Sequence, residues 1–173
     1  MTCYVALLRG VNLVGNSTLK MADLKRIADD LGLQSARTYI ASGNLLFVSD
    51  RGEEALRRAL EKELRAHMGK DVRVMLRTAE EMEAVVIANP FTDQAANLVQ
   101  AFFLNAPPPP DILETARNRA DDERIAAGPR EVFVAYGERA IGKSRLRIPS
   151  AEAGTARNMN TVAKLAELAR EMS

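Results

Sequence analysis

The chain has 173 residues, 47% of them apolar and 27% charged, with a formal net charge of +1. That balance belongs to a globular protein able to build one compact unit, or two small ones sharing a core, and it excludes a disordered chain. No global field recruits DNA or an anionic membrane, although residues 1–77 carry 13 Lys and Arg against 9 Asp and Glu while residues 78–173 carry 11 against 14.

Residues 2–8 are short, apolar and partly β-branched, which predicts a buried strand. Arg9 to Leu19 holds Gly10, Asn12, Gly15, Asn16 and Ser17 and reads as a loop. Leu24, Ile27, Ala28 and Leu31 recur at helical spacing, so a helix is predicted over 22–31, stopped by Gly32. Strands are predicted over 36–41 and 45–48, joined by a hairpin turn at Ser42-Gly43-Asn44. A charged amphipathic helix follows over 53–67, with Leu56, Leu60 and Leu64 on one stripe, and then a strand over 72–76. The first half is therefore expected to run β-α-β-β-α-β, the ferredoxin-like split βαβ.

The second half echoes the first. A linking helix is predicted over 79–88, closed by Asn89-Pro90-Phe91, and a strand over 99–104. Four prolines, 107–110, lead into a helix predicted over 111–119. Strands over 123–127 and 131–136 flank Gly128-Pro129. A basic loop over 139–147 ends at Pro149, and the last helix is predicted from about residue 158 to 171. The order β-α-β-β-α thus occurs twice, without evident identity between the halves. The expected fold is α+β: two ferredoxin-like β-α-β-β-α-(β) repeats, residues 1–77 and 78–173, packed as one compact unit with mainly antiparallel sheets.

Several spaced motifs carry a family likeness. They are Leu8-Arg9-Gly10-Val11-Asn12, Met21 followed by Leu24, Tyr39-Ile40-Ala41-Ser42-Gly43-Asn44, Asn89-Pro90-Phe91, and the run from Thr155 to Leu165. The chain resembles the bacterial family called domain of unknown function 1697, over about residues 3 to 170. The resemblance implies a doubled ferredoxin-like fold in a small bacterial protein and implies no particular activity. Where the family usually has Trp between the two Asn residues of the last motif, this chain has Met159. A Trp there could stack on a ligand, whereas Met fills core space.

Three polar segments form the candidate site. Arg9 and Asn12 follow the first strand, Ser42 and Asn44 sit at the hairpin turn, and Arg157, Asn158 and Asn160 open the last helix. Arg can grip an anion bidentately and Asn can read an amide or base edge. Each residue also has a structural use, since Gly10 supplies positive φ, Asn and Ser close turns, and Asn158 or Asn160 can cap the helix. Arg157 lies at the helix end whose dipole favours anions, so a bound anion there would relieve it.

Residues 137–144 match the phosphate-loop pattern G-x-x-x-x-G-K-[ST], but the helix that should follow is cut short at Pro149. The segment is expected to be a plain basic loop, with Arg139, Lys143 and Arg145 able to hold an anion. Cys3 is the sole cysteine and His67 the sole histidine, which leaves no familiar zinc or Cys–His site and no internal disulfide. No metal or cofactor is expected. Cys3 is expected to be a small buried residue of a reduced, cytoplasmic protein. No signal peptide is expected, and no apolar run approaches the roughly 20 residues that span a bilayer. The acidic runs Glu80-Glu81-x-Glu83 and Asp121-Asp122-Glu123 are expected to be solvated faces.

The leading expectation is a module that binds an anionic small ligand, a nucleotide or phosphorylated metabolite, where the three polar segments meet. A second is an RNA platform using Phe47, Phe102, Phe103, Phe133 and Tyr136. A third is a metal-independent enzyme drawing on Lys20, Tyr39, Lys143 or Lys164, and a fourth is that the motifs only hold the fold together.

Overall fold

A computed structural model of the chain describes residues 1–13 and 18–173. The loop expected over 9–19 lies partly outside the described residues. The elements are β1 (Thr2–Leu8), α1 (Met21–Asp30), β2 (Gln34–Thr38), β3 (Asn44–Ser49), α2 (Glu53–Met68), β4 (Val74–Thr78) and α3 (Ala79–Ala88), followed by β5 (Val99–Phe103), α4 (Ile112–Thr115), β6 (Arg124–Ala127), β7 (Glu131–Ala135), α5 (Ala140–Lys143), β8 (Thr155–Asn158) and α6 (Met159–Glu171). The fold is α+β. It holds two four-stranded sheets, ordered β2-β3-β1-β4 and β6-β7-β5-β8, in which every pairing is antiparallel. The two orders are the same arrangement repeated.

The repeat of elements and the compact units are different divisions of the chain. One unit comprises Met1–Met82 with Leu165–Ser173, and the other Glu83–Lys164. Helices α3 and α6 each begin in one unit and finish in the other.

In the first unit, alternation along β1 sends Tyr4, Ala6 and Leu8 to one face of the sheet, where they join Leu45, Phe47, Val74 and Leu76. Leu24, Ile27 and Ala28 of α1 and Leu56, Leu60 and Leu64 of α2 close over that face. The other face carries Val5, Leu7, Leu46, Met75 and Arg77, also buried. Burial on both faces explains why β1 reads as a continuous apolar run.

The second unit is built on the same plan with less cover. The helices corresponding to α1 and α2 are α4 and α5, each a single turn of 4 residues against 10 and 16 in the first unit. Its cluster joins Leu104, Ile112, Val132, Val134, Tyr136, Ile148 and Ala151, while Phe102, Ala116, Ile125, Ile141 and Leu146 remain partly exposed.

Four expected elements are corrected. The helix over 111–119 stops at Thr115, because Asn118 takes a positive φ of 58° and Arg117 leaves to pair with Arg147 in an isolated bridge. The strand expected over 36–41 is Gln34–Thr38, because the chain turns at Ile40 with φ 50°. The basic loop contains the one-turn α5. Residues Thr155–Asn158, read as the approach to a helix, form β8 and complete the second sheet against β5.

The unequal cover of the two sheets predicts unequal penalties. Leu60→Ala removes a side chain with no exposure and should cost about 2–5 kcal/mol. Ile141→Ala, on α5, should cost less than about 1.5 kcal/mol, because its side chain is only partly buried. Urea denaturation of both variants checks the contrast.

Candidate functional site

The first two polar segments meet at one end of the first sheet. Asn12, at φ 56°, uses its whole side-chain amide there. Its Nδ2 donates to the carbonyls of Leu19 (2.8 Å) and Ala41 (2.7 Å), and its Oδ1 accepts from the Leu19 N–H at 2.7 Å. One side chain therefore closes the loop after β1 and ties it to the turn before β3. The Leu8 N–H adds a bond to the Gly43 carbonyl at 2.9 Å. Gly43 is required at this crossing: its φ is 90°, and a Cβ would stand 2.6 Å from Val11 Cγ2 and 3.0 Å from Leu8 Cβ.

Asn44 is fully buried and shapes the turn from inside. Its Nδ2 donates to the Tyr39 carbonyl (2.9 Å) and to Ser42 Oγ (3.0 Å), and the Tyr39 N–H returns a bond to the Asn44 carbonyl. Ile40 is held at positive φ within this turn, a costly conformation for a β-branched residue, and it is 49% exposed. Leu13, beside Asn12, is 58% exposed.

Arg9 leaves the same end of the sheet and is exposed. Its N–H donates to the Arg73 carbonyl at 3.0 Å, which extends the β1–β4 register one step beyond the Leu8–Val74 pair. Arg9 and the exposed Arg73 thus stand opposite each other, where cross-strand Cβ atoms lie about 5 Å apart and like charges repel. Lys20 follows Leu19 directly and is exposed at the start of α1, whose first turn has no side-chain cap.

The third segment belongs to the second unit. Arg157 lies on β8 opposite Ala101 and is 7% exposed. Its Nη1 donates to Thr155 Oγ1 (2.8 Å) and to the Ala156 carbonyl (2.9 Å). Burial pushes its pKa down to about 10, well above neutrality, so the guanidinium is buried in its charged form. Asn158 caps α6, its Oδ1 accepting from the Thr161 N–H at 3.0 Å. Asn160 is exposed on the first turn.

The segment resembling a phosphate loop is occupied by the chain's own acids. The Glu138 N–H donates to Asp122 Oδ2 at 2.9 Å, and Asp122 lies so close to Gly137 that a Cβ there has no room. Ser144 Oγ donates to Glu123 Oε2, and Glu123 Oε1 accepts from the Ala120 N–H at 2.8 Å. Glu123 is buried rather than part of a solvated face, because its carboxylate joins the turn at Ala120 to Ser144. Burial, and to a lesser degree the negative charge of Glu123, pushes the Tyr136 phenol up to about 12. The helix inside the pattern ends at Lys143, where a phosphate-loop helix would begin. Arg139, Lys143 and Arg145 are exposed on this segment.

Of the remaining candidates, Phe47, Phe103, Phe133 and Tyr136 are buried in the core, and only Phe102 is half-buried. His67, in the last turn of α2, lies 3.6 Å from the Asp23 carboxylate. Cys3 is buried on β1, where burial pushes its thiol pKa up and a hydrogen bond with Ser173 partly offsets this. Among the described residues, no group of three or more His, Cys, Asp and Glu is placed to hold a metal ion. No helix among them is long and apolar enough to cross a membrane.

The family described as "Protein of unknown function (DUF1697)" matches residues 1–133. The chain belongs to this family. A solved structure of a conserved bacterial protein from Streptococcus pneumoniae is similar over 97% of this chain and 98% of that one, with a TM-score of 0.77 and 24% identity, a likeness of fold. No curated protein matches the chain. Met159, where the family usually has Trp, is 5% exposed and fills core space.

Two residues escaped the sequence reading. Arg77 lies on β4 opposite Val5 and is 1% exposed, its Nη1 donating to the Leu76 carbonyl at 2.9 Å. It is the repeat equivalent of Arg157, and the available signal was an Arg followed by a capping residue and a helix in both halves. Thr78 and Glu81 form a capping box at this junction, just as Asn158 caps the other. Arg73 was legible only once β1 and β4 were known to pair.

The Asn12 clamp predicts a specific mutational pattern. Asn12→Ala should cost about 2–4 kcal/mol, since it leaves three backbone groups without their partner and puts a Cβ-bearing residue without a polar side chain at positive φ. Asn12→Gly should cost about 1 kcal/mol less, because only the hydrogen bonds are lost. Chemical denaturation distinguishes the two losses, and equal, small effects would refute the clamp.

Proposed function

We propose that the protein is a binding module for an anionic small ligand, a nucleotide or phosphorylated metabolite, held at the loop end of the first sheet. The observation that carries this reading is the cross-strand pair of Arg9 and Arg73. Two exposed arginines stand opposite each other one step past the Leu8–Val74 pair, next to a loop and turn that Asn12 and Gly43 tie together. An anion bridging them would make a charge-assisted contact with each. Lys20 adds a positive charge at the start of α1, whose first turn also carries Asp23. Exposed Leu13 and Ile40 supply apolar surface for the rest of the ligand.

In this reading Asn12 and Asn44 organise the site and do not touch the ligand, because their amides are engaged with the backbone and with Ser42. Ser42 lines the turn. Arg157 and Asn158 keep their roles within the second unit, and Asn160 is the member of that segment that is exposed to a partner. Strand order β2-β3-β1-β4, repeated in the second sheet, supports a ferredoxin-like reading of both repeats. A lone buried cysteine supports a reducing, cytoplasmic setting.

The test is thermal unfolding with inorganic phosphate, nucleoside monophosphates and a short RNA, for the wild-type protein and for Arg9→Gln/Arg73→Gln. At about 100 times its Kd a small ligand stabilises by roughly 2.7 kcal/mol, a shift of a few degrees. The double variant should melt no lower than the wild-type protein without ligand, since like charges are removed, and should lose the shift. An equal shift in both proteins, or a shift with RNA alone, would contradict the proposal.

A further inference from the structure

The repeat allows one half of the molecule to be compared with the other. On the helix-covered face of the first sheet, α1 and α2 bury the core positions, including Ala6 at 0% exposure. The equivalent position on the second sheet is Phe102, which is half-buried, because α4 and α5 are single turns. Where α2 lies in the first unit, the second unit runs instead through the segment 144–152. A half-open cleft of about 130 Å³ remains under that segment. Phe102, Tyr136, Leu146, Ile148 and Ala151 line it, and Arg147 and Glu152 stand at its edge. An apolar cavity of about 150 Å³ is enough to take up benzene.

The backbone at the edge of the cleft is fixed, and its two charges are Arg147 and Glu152. The Arg147 N–H donates to the Arg117 carbonyl at 2.9 Å, and the Arg117 N–H to the Arg147 carbonyl at 2.8 Å, so two arginines face each other across an isolated bridge. Both side chains are exposed. Arg147 is paired with Glu152 through Nη2 at 2.6 Å and Nε at 3.1 Å, with side-chain exposures of 64% and 49%. An ion pair this exposed is worth little, and a second carboxylate can replace it. The base of the cleft is different in kind, since the Tyr136 hydroxyl is already committed to Gln100 Oε1 at 3.0 Å and offers the cleft mainly its ring.

We infer that this cleft is a second ligand site, taking a small aromatic or branched aliphatic monocarboxylate whose apolar body lies on Phe102, Leu146 and Ile148 and whose carboxylate is gripped by Arg147. The site is separate from the loop end of the first sheet and stands or falls independently of it.

The probe is benzoate, with benzyl alcohol as its uncharged counterpart, titrated into the full-length protein and followed through the ring resonances of Phe102 and Tyr136. Benzoate should give saturable shifts at both rings. Arg147→Gln should weaken it by about tenfold or more, as expected when a charge-assisted contact is lost. Benzyl alcohol should bind the wild-type protein at least about tenfold more weakly than benzoate. Ala151→Leu, which fills the cleft, should abolish the shifts. The Arg147→Gln comparison stands even if Ala151→Leu fails to fold, because the Arg147 side chain is exposed. Absence of saturable shifts in the wild-type protein would overturn the inference, as would equal binding by Arg147→Gln or by the alcohol.

Discussion

The side-chain amide of Asn12 is the constraint on which the loop end of the first sheet depends. Backbone groups that leave a strand must find partners or water, and a loop of this length would ordinarily find water. Here a single amide serves three backbone groups at once, two on Leu19 and one on Ala41. Asn12, Leu19 and the turn at Ala41 are then joined, and Gly43 lets the turn approach Val11 and Leu8 to van der Waals contact. Arg9, Arg73 and Lys20 are carried on a scaffold whose hydrogen bonds are internal. Preorganisation of that kind lowers the entropy lost when a ligand binds.

The second consequence of the fold is divergence between repeats. Both sheets have the same strand order, and both place a buried arginine just before a capped helix, Arg77 before α3 and Arg157 before α6. Burying a guanidinium is costly, so its occurrence at matching register points to a shared structural demand at the strand–helix junction. Away from that junction the halves differ. Long amphipathic helices seal the first sheet, while short turns leave the second partly open. A repeated architecture can thus keep one half as a closed scaffold and use the other to expose apolar surface.

Much of the architecture was legible in the sequence. Helical spacing of Leu56, Leu60 and Leu64 located α2, and the apolar run 2–8 located β1. The errors share a cause. Residues 111–119 have helical propensity, but the Arg117–Arg147 bridge draws the chain out of the helix, and no local pattern reveals a partner thirty residues away. Thr155–Asn158 is too short and too polar to announce a strand, and it becomes one only because β5 offers an edge. Polar residues in turns were legible as candidates and not as roles. Asn12 and Asn44 look the same in sequence whether they bind a ligand or a carbonyl, and only tertiary placement decides between these uses. The buried state of Glu123 was hidden for the same reason, since its partner Ser144 lies on another element.

The most direct test of this account is native-state hydrogen exchange at the Leu19 amide, the N–H received by Asn12 Oδ1. If Asn12 joins Leu19 to the turn, Leu19 exchanges with an opening free energy near that of the surrounding core, and the Leu8 amide, bonded to Gly43, opens with it. Exchange of Leu19 at the rate of an unprotected loop, while Leu8 stays protected, would show that the clamp does not hold and that the arginines have no fixed platform.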